Sequence, residues 1–206
     1  MIINKGDRVL FQGDSITDCG RNREDDDLGS GYPYFAASLF SSRYPELEVE
    51  FLNRGIGGDR VRELEDRWAE DALNLKPDVI SILIGINDTW DSFRGRGGIS
   101  AEQFKETYHR ILSLTRKKTA AKIIICEPFL LPVRNDNSEW RKDLDPKINV
   151  CRELAREFDT FYLPLDGIFA RVCTQREPDF WAEDGVHPSP AGHALIARKW
   201  LDLTGY

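Results

Sequence analysis

The chain has 206 residues, of which 41% are hydrophobic and 31% charged, and this composition suits one globular domain spanning 1–206. Its net charge of −7, from 28 basic and 35 acidic residues, disfavours nucleic acid as a partner. No apolar run approaches the ~18–20 residues of a membrane span, and residues 1–7 lack a signal-peptide pattern. We therefore expect a cytoplasmic protein with neither nucleic acid nor membrane as a partner.

Short apolar runs alternate with amphipathic segments along the chain. Strands are predicted over 8–11, 49–52, 79–84, 123–125 and 161–163. Helical periodicity over 61–75 predicts one helix with Asp59 as its N-cap, and a capping box of Ser100 and Gln103 predicts the start of a second. A third begins at Ser189 and Pro190. This alternation favours a three-layer α/β/α sandwich around a mostly parallel five-stranded sheet.

Three segments rich in small and polar residues each directly follow a predicted strand: 13–15, 53–58 and 85–88. Because ligands bind outside the carboxyl ends of parallel strands, we expect the three segments to meet at one edge of the sheet. Residues 94–98 are expected to form a flexible loop, and 134–140 a further loop above the same edge.

Ser15 lies in the first of these segments, in the sequence Gly-Asp-Ser-Ile-Thr-Asp. A nucleophilic serine needs a rigid position and a nearby backbone N–H for the oxyanion, and a tight turn after a buried strand offers both. The alternative is an ordinary turn in which Asp14 and Ser15 act as caps. The segment is not a G-x-S-x-G elbow, because Thr17 occupies the position of the second glycine.

His187 is the candidate base among the three histidines of the chain. It lies in a loop before a proline, and Asp184 is three residues upstream, where a carboxylate can orient the imidazole. His109 lies within a predicted helix among charged neighbours, so a surface role is expected. His193 lies in the last helix, where packing or capping is expected.

The two other segments offer donors for a developing oxyanion. Gly58 can present a backbone N–H at a helix start, and Asn87 can present its side-chain amide. The alternatives are ordinary turn glycines at 55, 57 and 58, and an Asx-turn at Asn87.

In order along the chain, 13–15, the glycine-rich 53–59, 85–88 and 184–188 resemble the four sequence blocks of the SGNH (GDSL-type) hydrolase family. The resemblance implies a flavodoxin-like fold and a serine esterase with no metal and no organic cofactor. It also implies that Ser15 is the nucleophile, His187 the base and Asp184 its orienting partner. The Ser15 N–H, the Gly58 N–H and the Asn87 side chain would form the oxyanion hole. Ile16 replaces the leucine that usually follows the serine in this family.

The segments 11–21, 85–90 and 187–193 resemble the branch of the family that contains acetylxylan esterases. This resemblance implies a short-chain ester as substrate, either a small molecule or an acetylated oligosaccharide, and it allows a homo-oligomer. The candidate substrate-binding residues are Asp14, Trp90 and Trp181, with Trp140 and Phe180 as further aromatic side chains that could stack on a sugar.

Other functions stay open at this point. A longer-chain lipase, lysophospholipase or thioesterase would use the same triad, and a catalytically silent relative would only bind carbohydrate. A phosphate-binding module at 29–31 or 57–58 is disfavoured, because neither segment completes a G-x-G-x-x-G motif and the chain has no Walker lysine.

Overall fold

The computed structural model describes residues 2–25, 27–133 and 137–206. Within these ranges the strands form one five-stranded, fully parallel sheet in the order β2-β1-β3-β4-β5. The strands are β1 (Arg8–Gly13), β2 (Glu50–Asn53), β3 (Val79–Leu83), β4 (Lys122–Cys126) and β5 (Phe161–Leu163). The predicted strands and the flavodoxin-like order are therefore confirmed.

Helices cover both faces of this sheet. They are α1 (Ser15–Asp18), α2 (Tyr32–Arg43), α3 (Val61–Asp66), α4 (Trp68–Asp71), α5 (Ile86–Phe93), α6 (Ala101–Lys118), α7 (Asn137–Glu157), α8 (Leu165–Val172), α9 (Pro178–Trp181) and α10 (Pro190–Thr204). Short 3-10 helices lie at Pro45–Leu47 and Leu73–Leu75. None of the helices in the described part of the chain is long and apolar enough to cross a membrane.

Two apolar clusters, one on each face, hold the layers together. Every residue of β3 is buried, and successive strand side chains alternate between the clusters, with Val79 in one and Ile80 in the other. The first cluster contains side chains of α2, α8 and α10, and the second contains side chains of α3 and α6. Cys126 is buried in the first cluster.

The predicted helix starts at α6 and α10 are confirmed by their caps. Ser100 Oγ accepts the Gln103 N–H at 3.3 Å, and Gln103 Oε1 accepts the Ser100 N–H at 3.2 Å. Ser189 Oγ accepts the Gly192 N–H at 3.2 Å, with Pro190 as the first helical residue.

The single helix predicted over 61–75 is wrong, because the segment divides into α3, α4 and a 3-10 turn. The break is at Arg67, whose backbone leaves helical geometry at φ −98° and ψ 3°. Asp59 is not the N-cap, since Arg60 occupies that position and the Asp59 carboxylate instead accepts a hydrogen bond from Arg67 Nε at 2.7 Å. Asp59 therefore pairs with Arg67 and does not cap the helix as the sequence had suggested.

The loop predicted over 134–140 is also partly wrong. Residues 134–136 lie outside the described residues, whereas Trp140 lies in the first turns of α7. This helix continues through Pro146 and packs against α6 and α5.

Candidate active site

The turn that presents Ser15 depends on a close backbone approach at the end of β1. A Cβ on Gly13 would lie 2.3 Å from the Leu83 carbonyl oxygen and 2.4 Å from Thr17 Oγ1, so only glycine fits there. Helix α1 then begins at Ser15, and Asp14 caps it by accepting the Ile16 N–H at 3.0 Å. This turn and its cap place the serine at the carboxyl edge of the sheet.

The structure brings Ser15, His187 and Asp184 together in one line of hydrogen bonds. Ser15 Oγ is 2.9 Å from His187 Nε2, and His187 Nδ1 is 2.7 Å from Asp184 Oδ2. With the proton on Nδ1, the imidazole donates to the carboxylate and its Nε2 is free to accept the serine proton. Ser15 and His187, which lie 172 positions apart in sequence, are therefore adjacent in space.

The loop around His187 holds the second carboxylate oxygen of Asp184 in place. Asp184 Oδ1 accepts the N–H groups of Val186 and His187 at 2.9 and 2.8 Å, and Gly185 provides the left-handed φ of +83° that closes the turn. Burial alone would raise the pKa of Asp184, but these bonds and the His187 ring hold that pKa well below its usual range. The hydrogen bond that the His187 ring donates to Asp184 in turn raises the pKa of His187 above its ordinary value, against partial burial.

The loop that carries Gly58, which the sequence predicted to supply an oxyanion donor, lies beside Ser15. A Cβ on Gly57 would lie 3.8 Å from Ser15 Cβ, so the glycine loop passes directly next to the serine. Gly58 has a left-handed φ of +87°, and among the hydrogen bonds of the described residues none uses the N–H of Gly58 or of Ser15. Asn87 donates one amide hydrogen to the Asp59 carbonyl at 3.0 Å, which leaves the second available.

Comparison with known proteins identifies the family of this chain. Residues 11–195 match the family model described as the GDSL-like lipase/acylhydrolase family. The chain belongs to this family. It is 36% identical, over its whole length and 97% of the relative, to an acetylxylan esterase of Geobacillus stearothermophilus. The family resemblance inferred from the sequence is confirmed, and the chain is a carboxylic ester hydrolase.

Solved structures of GDSL-like proteins agree with the fold. A protein from Parabacteroides merdae, described as a GDSL-like lipase, has a TM-score of 0.95 at 35% identity and covers 98% of this chain and 97% of its own. The Geobacillus stearothermophilus acetylxylan esterase has a TM-score of 0.93 at 34% identity, covering 100% and 97%. Three variants of that enzyme, described as catalytic mutants, replace a serine, an aspartate and a histidine by alanine.

The position of Asp14 does not suit the substrate-binding role that was predicted for it. Its side chain is 1% exposed, so it has almost no surface to offer a substrate of this GDSL-like hydrolase. Burial raises its pKa to about 7, against the hydrogen bond from the Ile16 N–H. We therefore correct its role from a substrate contact to an internal cap of the helix that carries the serine.

The aromatic candidates divide into two groups around the GDSL-like site. The Trp90 ring lies 5.7 Å from the His187 ring and 5.5 Å from Trp140, which stacks on Phe93 at 5.6 Å. These side chains form one aromatic cluster, of which Trp90 lies beside the base. Trp181 instead packs edge-on against Phe180 at 5.0 Å, in α9.

The two remaining histidines have the roles that the sequence suggested. His109 is a surface residue 3.0 Å from Glu157. His193 is 5% exposed, and its Nδ1 accepts the Tyr32 N–H at 3.1 Å, close to the start of α2. Burial lowers the pKa of His193 to about 4, so it is neutral in the folded enzyme.

Sequence reasoning missed two polar residues that connect the blocks of the site. Asp18, the last residue of α1, accepts the Gly57 N–H at 2.9 Å. Arg67 contacts both the end of β1 and the loop that carries Gly58. A hint was available for Asp18, which lies within the serine block, but Arg67 lies in a segment whose helical pattern gave it no distinct role.

Proposed function

We propose that the chain is a serine esterase that removes short acyl groups, acetyl in particular, from acylated carbohydrates such as xylo-oligosaccharides. The observation that carries this proposal is the hydrogen-bonded line from Ser15 Oγ through His187 to Asp184, with distances of 2.9 and 2.7 Å. Geometry of this kind favours proton transfer from the serine to the imidazole.

In the first half-reaction Ser15 Oγ attacks the ester carbonyl carbon while His187 Nε2 takes the hydroxyl proton. The carbonyl oxygen becomes an oxyanion, which accepts hydrogen bonds from the Ser15 N–H, the Gly58 N–H and the Asn87 amide. His187 then gives its proton to the sugar oxygen, the carbon–oxygen bond of the ester breaks, and the acyl group remains on Ser15.

In the second half-reaction a water molecule replaces the alcohol. His187 takes a proton from the water as its oxygen attacks the acyl carbon, and the same donors hold the second oxyanion. Collapse of this intermediate returns the proton from His187 to Ser15 Oγ and releases the carboxylic acid. Asp184 stays ionised throughout and stabilises the imidazolium in both halves.

The substrate class rests on three supports. A full-length relative at 36% identity is named for activity on acetylxylan. The Trp90 ring lies 5.7 Å from the His187 ring and packs against Trp140, and bulky rings at this place favour a small acyl group and an apolar sugar face. The net charge of −7 also favours a neutral ester over an anionic one.

A substrate panel tests this proposal. Initial rates should be measured on p-nitrophenyl esters of two to twelve carbons and on acetylated xylo-oligosaccharides, with Ser15→Ala as the matched inactive control. We expect the highest kcat/KM on the acetyl ester and release of acetate from the oligosaccharide. A preference for acyl chains of eight carbons or more would indicate a lipase or thioesterase instead. Saccharide binding without any ester turnover would indicate a silent relative.

A further inference from the structure

Arg67 lies between the end of β1, which precedes Ser15, and the loop that carries Gly58. It lies at the break between α3 and α4, and its side chain is 13% exposed. All three guanidinium nitrogens donate hydrogen bonds, to five different acceptors. An arginine buried to this extent is costly unless its donors are paired, so the surrounding groups are arranged for it.

Two of these acceptors belong to the end of β1. Arg67 Nη2 donates to the Gly13 carbonyl at 3.1 Å, and Nη1 donates to Gln12 Oε1 at 2.8 Å. Gly13 is two residues before Ser15 and its carbonyl also accepts the Ile56 N–H at 3.1 Å. The guanidinium therefore holds the strand end from which the serine projects.

Two other acceptors belong to the loop that carries Gly58. Nη1 donates to the Arg54 carbonyl at 2.7 Å, and Nε donates to the Asp59 carboxylate at 2.7 Å. Asp59 directly follows Gly58, and its own carbonyl oxygen accepts the Asn87 amide at 3.0 Å. Arg67 therefore contacts the segments that carry Ser15 and Gly58 directly, and it is linked to Asn87 through Asp59.

We propose that Arg67 is the positioning residue of the oxyanion hole, fixing the loop that carries Gly58, and through Asp59 the Asn87 amide, against the strand end that carries Ser15. This inference rests on the proposed esterase function. Arg67 acts through these groups and does not touch the substrate itself. Lysine cannot replace it, because a single ammonium group cannot reach all the acceptors that surround the edge of the planar guanidinium.

The substitution Arg67→Lys tests the role. A displacement of donors by about 1 Å costs up to about 10²-fold in rate, so we expect kcat on p-nitrophenyl acetate to fall about 30- to 100-fold. KM should change by less than about threefold, since the loss is confined to the charged intermediate. Phenylboronic acid, which forms a tetrahedral adduct on the serine, should bind more weakly by a factor similar to the loss in kcat.

Arg116→Lys is the matched control. Arg116 also donates to several backbone carbonyls, those of Ala121, Phe158 and Asp159, but these lie at the opposite edge of the sheet. We expect Arg116→Lys to lower Tm while kcat stays within about twofold of wild type. If Arg67→Lys does not fold, Asp59→Asn weakens the same link with an isosteric side chain, and a smaller fall in kcat is expected.

The possible outcomes distinguish a positioning role of Arg67 from a purely structural one. A fall in kcat and in boronate affinity for Arg67→Lys, but not for Arg116→Lys, supports the positioning role. A kcat within twofold of wild type in folded Arg67→Lys, or equal losses in both arginine variants, overturns it. Full activity in Ser15→Ala would instead overturn the proposed function on which it rests.

Discussion

Replacing Asp184 by asparagine exchanges one oxygen of the carboxylate for an NH₂ group with almost no change in shape. The carboxylate has three donors to satisfy: the N–H groups of Val186 and His187 on Oδ1, and the His187 ring on Oδ2. An asparagine oxygen can occupy only one of the two places. The single oxygen of the asparagine can therefore accept from the two backbone N–H groups or from the His187 ring, but not from both.

The balance of hydrogen bonds decides that choice. Turning the NH₂ towards the loop would leave two backbone N–H groups facing another donor, at about 1–3 kcal/mol each. Turning it towards the ring costs little, because a neutral imidazole can accept at Nδ1 after moving its proton to Nε2. We therefore expect the amide oxygen to stay on the backbone and His187 to adopt the tautomer that cannot accept the Ser15 proton.

The rate should fall accordingly. A base held in the wrong tautomer lowers kcat by about 10⁴-fold, which corresponds to about 5 kcal/mol of transition-state stabilisation. Hydrolysis of p-nitrophenyl acetate measures the fall, and nitrogen NMR of the labelled ring identifies the tautomer. Asp179→Asn, at an exposed position in α9, is the control and should retain wild-type kcat. A loss in Asp184→Asn below tenfold, or a ring that still carries its proton on Nδ1, would refute this reasoning.

Three further predictions follow from individual side chains. Because its hydrogen bond to Asp184 raises the pKa of His187 above 6.5, kcat/KM should fall as the pH drops through that raised pKa, as a pH–rate profile measures. Asn87→Ala removes one oxyanion donor, and kcat should fall about 10²- to 10³-fold with little change in KM. His193→Asn keeps an acceptor for the Tyr32 N–H but cannot be protonated, so urea titrations should show a smaller loss of stability in acid than wild type shows.

The sign and size of the His193 effect follow from its folded pKa of about 4. Between pH 6.5 and 4 the unfolded chain binds this proton more readily than the folded one, so stability falls as the pH falls. At about 1.4 kcal/mol per pH unit, wild type should lose about 3 kcal/mol more than the variant across this window. Equal losses would contradict the assignment. For the other two predictions, the contrary results are a flat acid limb between pH 5 and 8, and a kcat for Asn87→Ala within fivefold of wild type.

The parts of the fold that the sequence predicted depend on local patterns. The β3 run is apolar without interruption because both faces of the strand are buried, and the caps at Ser100 and Ser189 use contacts between residues three positions apart. The convergence of the three polar segments follows from parallel strands sharing one carboxyl edge. These features require no knowledge of distant contacts.

The features that the sequence did not predict depend on distant polar contacts. Lys147 is fully buried in α7 because it pairs with Asp143, and a search for apolar periodicity passes over such a residue, as it does over a helix that contains Pro146. Arg67 lies at the break in the predicted helix over 61–75, where its side chain contacts acceptors at the end of β1 and in the loop that carries Gly58. Likewise, nothing in the serine block indicates that the Asp14 side chain faces inward.

The most direct test of the mechanism is covalent labelling of the nucleophile. Phenylmethylsulfonyl fluoride reacts with a serine that an adjacent base activates, and peptide mass spectrometry locates the adduct. We predict one adduct, on Ser15, formed at the same rate as esterase activity is lost, and none on the Ser15→Ala variant. An adduct at another residue that accounts for the loss of activity, or full esterase activity in Ser15→Ala, would contradict the assignment of Ser15 as nucleophile.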